Sequence, residues 1–211
     1  MMQNNIAAMT GQLAHPLTVD HEIMGEAFYT STLIVKRLSG AFDSIPVTVP
    51  GKLFDTIKPE TFQRLVTVTG SIRSYIRTQP DGSGNHNLTL FASSVEPALE
   101  EFETQNEVTL TGSICKAPTF RFTPFGREIS DTMLAVNRGF GKGDYIPLVV
   151  WGRNAKWTSR LRVGDTVTVR GRLQSRDYEK LQDDGSYQRR TVNELSVFSI
   201  EHVPAEVRAS V

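Results

Sequence analysis

The chain has 211 residues, 23 Lys and Arg against 23 Asp and Glu, 39% apolar residues and one cysteine. That length suits one domain or two small ones, and the single Cys115 excludes an internal disulfide and fits a reducing compartment. Four scattered histidines with no second cysteine give no zinc-ligand spacing, and no constellation for hydrolysis is visible, so no catalytic residue, metal or cofactor is expected.

The amino terminus, MMQNNIAAMTGQL, lacks the basic start and apolar run of a secretory leader. No later apolar run approaches the roughly 20 residues that span a membrane, so a cytoplasmic location without a membrane partner is expected. From Asn5 onward the sequence repeats itself. A shift of 101 residues places Asn5 on Asn106, Thr10-Gly11 on Thr111-Gly112 and Gly25 on Gly126. Leu33, Val35 and Arg37 then fall on Leu134, Val136 and Arg138, Ile45-Pro46 on Ile146-Pro147, and Gly51 on Gly152. Val66-Thr67-Val68 and Gly70 match Val167-Thr168-Val169 and Gly171 without a gap. A self-similarity of this length marks a duplicated unit. We expect one copy over residues 1–97, an acidic linker over 98–105 within EPALEEFETQ, and a second copy over 106–211.

The elements are clearest in the second copy. NEVTLTGSICK alternates apolar and polar residues as a half-buried strand does, and APTFRFTPFG reads as a turn before the strand EISDTMLAVN. GFGKGD connects to DYIPLVVW, a short helix is expected at RNAKWTSRL, and VGDTVTVRGRLQSR supplies a fourth strand. The DDGS turn leads to the last strand, VNELSVFSI. Five strands with a helix between the third and fourth is the order of an OB-fold. The expected fold is therefore all-β, two tandem OB-fold barrels.

Charge and side-chain parity then point to a surface. Residues 1–101 carry 7 Lys and Arg against 10 Asp and Glu, whereas residues 112–176 carry 12 against 4. Such a local excess is the electrostatic footprint of a polyanion site. Successive strand residues face opposite ways. In DYIPLVVW, Ile146, Leu148 and Val150 form the inward set and Tyr145 and Trp151 lie outward. In the fourth strand Val167, Val169 and Leu173 point inward while Arg170, Arg172, Arg176 and Tyr178 point outward, provided no bulge reverses the parity. Aromatics interleaved with arginines on one face are what single-stranded nucleic acid requires, bases stacking on rings and cations tracking phosphates. Packing of Trp151 and Tyr145 against a loop or partner is the competing reading. GFGKGD is no phosphate loop: its glycines are too close, Gly143 stands where Ser or Thr belongs, and a strand follows it rather than a helix.

NEVTLTGSICKAP, LAVNR, DYIPLVVWGRNA and GDTVTVRGRLQSRDY resemble the bacterial single-stranded DNA-binding protein family, in the tandem-barrel version of Gram-positive bacteria. The resemblance covers nearly all of the second copy and reaches the first through the repeat. It implies non-catalytic, largely sequence-independent protection of single-stranded DNA in replication, recombination and repair, near the nucleoid. It also implies base stacking by Phe140, Tyr145, Trp151 and Tyr178. Arg138, Lys142, Arg153, Arg170, Arg172 and Arg176 would then neutralise phosphates. The first copy has Ser39, Ser44, Pro50 and Arg77 at the four aromatic positions. It is expected to serve assembly, with auxiliary contacts at most from Arg73, Tyr75 and Arg77. Family members assemble four barrels, which implies a homodimer here. Replication or recombination proteins are expected partners, although the ending EHVPAEVRASV lacks the family's acidic tail with its apolar tip. Two alternatives stay open: an adaptor of the primosomal type docking a replication protein through the aromatic face, and an RNA-binding OB protein.

Overall fold

The computed structural model describes residues 4–78, 84–98, 105–139, 141–181 and 185–204. In the first half the strands are β1 (Asn5–Leu13), β2 (Thr18–Ile23), β3 (Glu26–Lys36), β4 (Phe42–Pro50), β5 (Val66–Thr78) and β6 (Gly84–Pro97). A helical turn, α1 (Gly51–Phe54), and a 3-10 turn (Pro59–Gln63) separate β4 from β5. The second half has β7 (Asn106–Phe122), β8 (Glu128–Arg138), β9 (Lys142–Trp151), helix α2 (Arg153–Thr158), β10 (Thr166–Leu181) and β11 (Tyr187–His202).

The pairings run in two circuits. β7 pairs with β8, β8 with β9, β9 in parallel with β11, β11 with β10, and β10 again with β7. The first half repeats this with β1, β3, β4, β6 and β5, the β4–β6 rung again parallel. This is the OB-fold order. Repeat-related residues fill the core of both halves: Leu33 and Leu134, Val35 and Val136, Ile45 and Ile146, Val47 and Leu148, and Val68 and Val169 are all buried. Gly70 and Gly171 are needed at equivalent points. A Cβ on either would collide with a carbonyl oxygen of the neighbouring strand, that of Phe91 or of Ser196.

Two features of the strands differ from the sequence reading. The expected turn APTFRFTPFG is mostly strand, because β7 continues to Phe122 and only Thr123–Arg127 turns. Pro118 lies where the β7–β8 register slips between Lys116 and Thr119, and a bulge is where a strand tolerates proline. In the first half the same stretch breaks after Leu13 and resumes as the hairpin strand β2. Residues 99–104 of the expected linker lie outside the described residues.

The halves join edge to edge. β1 pairs antiparallel with β7, from Asn5↔Leu110 to Met9↔Asn106, giving one eleven-stranded sheet among the described residues. The contacts around this seam come in equivalent pairs. The amide of Asn5 brackets the backbone of Ile72 (2.7 and 2.8 Å), and that of Asn106 brackets Leu173 (2.8 and 2.9 Å). Arg37 pairs with Asp43 (Nε–Oδ2 2.8 Å), and Arg138 pairs with Asp144 (2.7 Å); the two carboxylates are 0% and 2% exposed. Each carboxylate also accepts a backbone N–H from the other half, Asp43 from Ser175 and Asp144 from Ser74, both at 2.7 Å. The duplication thus folds as a pseudo-symmetric dimer within one chain.

Candidate nucleic-acid interface

β9 sorts its side chains as its pattern requires. Ile146, Leu148 and Val150 are buried in the core, while Tyr145, on the other parity, is 50% exposed. Tyr145 and Trp151 are six residues apart, or about 20 Å along a strand. Trp151 donates its indole N–H to Ser196 Oγ at 3.0 Å. Ser196 sits beside Val149 of β9 and opposite Arg172 of β10. Directly opposed residues share a face, so Trp151, Ser196 and Arg172 form one outward surface. Val149 shares that parity, yet it is buried apart from the main core cluster, so the middle of this face is covered.

β10 carries the basic row. Val167, Val169 and Leu173 are buried, and the parity survives because the bulge falls on β11: Arg170 and Gly171 oppose Ser199 and Val197, leaving Phe198 extra and exposed. Arg170 and Arg176 are exposed. Arg176 lies 5.9 Å from the Tyr178 ring and 3.7 Å from the Glu194 carboxylate, which also accepts from Gln174 at 2.9 Å. One acid therefore tempers the lower end of the row. Arg170 and Arg172 form no ion pair among the described residues.

The remaining predicted residues are dispersed. Lys142 opens β9 and Arg153 opens α2, both exposed. Arg138 is engaged by Asp144 at the seam, with 31% of its side chain exposed. Its Nε is buried and finds no acceptor among the described residues. Phe140 lies outside the described residues, as does the Arg77 side chain. In the first half Arg73 places its guanidinium carbon 3.4 Å from the Phe91 ring centroid, and Tyr75 is exposed. Burial, followed by the charge of Arg138, lowers the Arg73 pKa below its ordinary value, with Asp144 opposing. Three rings escaped the sequence reading: His21, Phe28 and Phe91. Phe28 was detectable by parity, since Leu33 and Val35 face the core and even-numbered residues of β3 face away. No three described His, Cys, Asp or Glu residues cluster in a way that would hold a metal, and no described helix is long and apolar enough to cross a membrane.

Residues 105–203 match the Single-strand binding protein family. The match covers the second half of the chain. Its relatives include the single-stranded DNA-binding protein of Clostridium tetani (strain Massachusetts / E88), 39% identical over 97 residues, covering 43% of this chain and 64% of that protein. Single-stranded DNA-binding protein A of Bacillus subtilis (strain 168) is 37% identical over 103 residues, covering 46% and 58%. The chain thus spans less than two thirds of either relative's length. In the crystal structure of wild-type single-stranded DNA binding protein from Thermus aquaticus the likeness extends through both halves. It covers 95% of this chain and 93% of that one, with a TM-score of 0.73 at 22% identity. At that identity the likeness establishes the fold, and it includes the first half that the family match leaves out.

Proposed function

We propose that the chain binds single-stranded DNA without catalysis and with little regard to sequence. The face formed by Trp151, Ser196 and Arg172, with the flanking Tyr145 and the Arg176–Tyr178 pair, carries this reading. Tyr145 is exposed and Trp151 and Tyr178 are partly exposed; such rings accept any base, because every base has a π-face, and the neighbouring cations meet the phosphates. Phe140 joins the stacking set on its sequence position alone. Lys142, Arg153, Arg170, Arg172 and Arg176 are the phosphate contacts. Arg138 belongs with them only through the part of its charge that Asp144 leaves unmatched. The curated relatives are named for the same ligand. We further propose that two chains associate, giving four OB units, and that the protein works in replication, recombination and repair.

Titration with oligo-dT, followed by tryptophan fluorescence, tests the central reading. Stacking should quench the emission. Trp151→Ala and Tyr178→Ala should each weaken binding by about 1–3 kcal/mol, the usual worth of one stacked base. Each neutralised phosphate should add about −0.7 to the slope of log affinity against log salt. Absence of quenching, or unchanged affinity in both variants, would sink the assignment. Competition with an RNA oligomer of the same length measures the preference for DNA, and a mass measurement in solution gives the number of chains.

A further inference from the structure

The first half lacks rings at its repeat-related positions, but it does not lack rings on that face. In the second half Trp151 stands opposite Ile129 of β8 and reaches Ser196 of β11. The corresponding three positions of the first half hold Pro50, Phe28 and Phe91. Phe28 opposes Pro50, and Phe91 sits beside Thr48 just as Ser196 sits beside Val149. The aromatic surface lost at Pro50 is therefore supplied by the two neighbouring strands, at the two positions that surround the indole in the other half.

These rings form a short row. His21 stacks on Phe28 with centroids 4.9 Å apart and planes 12° from parallel. Phe28 meets Phe91 at 6.1 Å with the planes tilted by 43°, and Arg73 covers Phe91. The rings lie in an open groove of about 880 Å³ that is also lined by Thr30, Thr48 and Thr89, whose hydroxyls bond one another or the Pro46 and Val47 carbonyls. Arg73 packs its guanidinium on Phe91 and makes no ion pair among the described residues. Burial and the nearby Arg138 disfavour its charge, a strain that an incoming anion would relieve. Arg138 of the second half also lines the groove. At the same place Ser74 Oγ accepts the backbone N–H of Tyr145 at 2.8 Å, so the groove ends where the Tyr145 face begins.

We propose that this groove is a second base-stacking site for single-stranded DNA, built on His21, Phe28, Phe91 and Arg73, and continuous with the Tyr145 end of the first. A strand leaving Tyr145 crosses the seam at Arg138, a base extends the stack, and Arg73 donates to a phosphate. This rests on the reading of the second half as a DNA-binding surface. It goes beyond the expectation that the first half serves assembly with auxiliary contacts at most from Arg73, Tyr75 and Arg77, and it uses none of the four repeat-related positions.

The test compares oligo-dT of one fold's site size, roughly 4–16 nucleotides, with oligo-dT of twice that length. Both tryptophans, Trp151 and Trp157, lie in the second half. The double variant His21→Ala, Phe91→Leu should bind the short oligomer and quench as the native chain does, and bind the long one about tenfold more weakly. Cross-linking of a bromodeoxyuridine-substituted long oligomer to the native chain should label the peptide that contains His21 and Phe28. Equal affinity of variant and native chain for the long oligomer, or adducts confined to residues beyond 105, overturns the groove and leaves the second-half site standing. Failure of the native chain to quench with the short oligomer overturns the reading beneath both.

Discussion

His86 of β6 hydrogen-bonds the backbone of Tyr145, so a titratable ring of one half touches a proposed stacking residue of the other. Burial lowers its pKa below 6.5, outweighing the hydrogen bond, which favours the charged form. The sign follows directly. Once the pH falls below the ordinary histidine value, the unfolded chain takes up a proton that the native ring resists, so the native state loses stability there and keeps it above. NMR titration should place the His86 midpoint below 6.5, and His86→Gln should flatten the fall in stability between about pH 7 and pH 5. A midpoint at or above 6.5 would contradict this. Such single-residue relations were the least legible in the sequence. The resemblance implied that Arg138 contacts phosphate, yet its position depends on Asp144 six residues away and on Ser74 in the other copy. Phe28 and Phe91 escaped for a different reason. Comparing the copies position by position detects a lost ring, but it cannot see that a ring on an adjacent strand has moved into the same space.

At the scale of elements, β10 decides the site. Its alternation could be read from the sequence, with Val167, Val169 and Leu173 inward and the arginines outward, and it survives because Phe198 of β11 takes up the bulge. Which strand of a pair absorbs an extra residue is set by cross-strand contact, which a single strand's pattern does not contain. Gly171 marks the spot: a side chain there meets the Ser196 carbonyl oxygen, one residue from the Arg172–Ser196 rung that supports Trp151. Gly171→Ala should therefore cost about 1–3 kcal/mol, as overpacking in a filled site does. It should also push Ser196 away from the indole. Thermal unfolding measures the first effect, and a changed Trp151 emission in the unliganded protein measures the second. If stability and emission both match the native chain, the two strands approach less closely at this point than described.

At the scale of the molecule, the repeat foretold two OB units and left their arrangement open, because the joining surfaces involve residues of both copies at once. Asp43 and Asp144 show what the arrangement depends on. Each is a buried carboxylate that holds its own Arg and a backbone N–H from the opposite half. Removing one partner of a buried pair costs about 3–5 kcal/mol, since the remaining charge stays uncompensated. Both arginines are partly exposed, so the lower end applies to Asp43→Asn and to Asp144→Asn. Both substitutions should destabilise in denaturant, Asp43→Asn the more, because Arg37 holds its carboxylate through two nitrogens and Arg138 through one. They should differ in binding. Asp144→Asn leaves Arg138 unneutralised beside the groove of the first half, so the salt dependence of oligo-dT affinity should steepen by about 0.7, one additional phosphate for a single strand. Arg37, released by Asp43→Asn, points its guanidinium at the Ser175 carbonyl, and the salt slope should stay that of the native chain. Equal slopes in the two variants would mean that the strand does not pass Arg138, and the continuous path from Tyr145 into the first half would have to be abandoned.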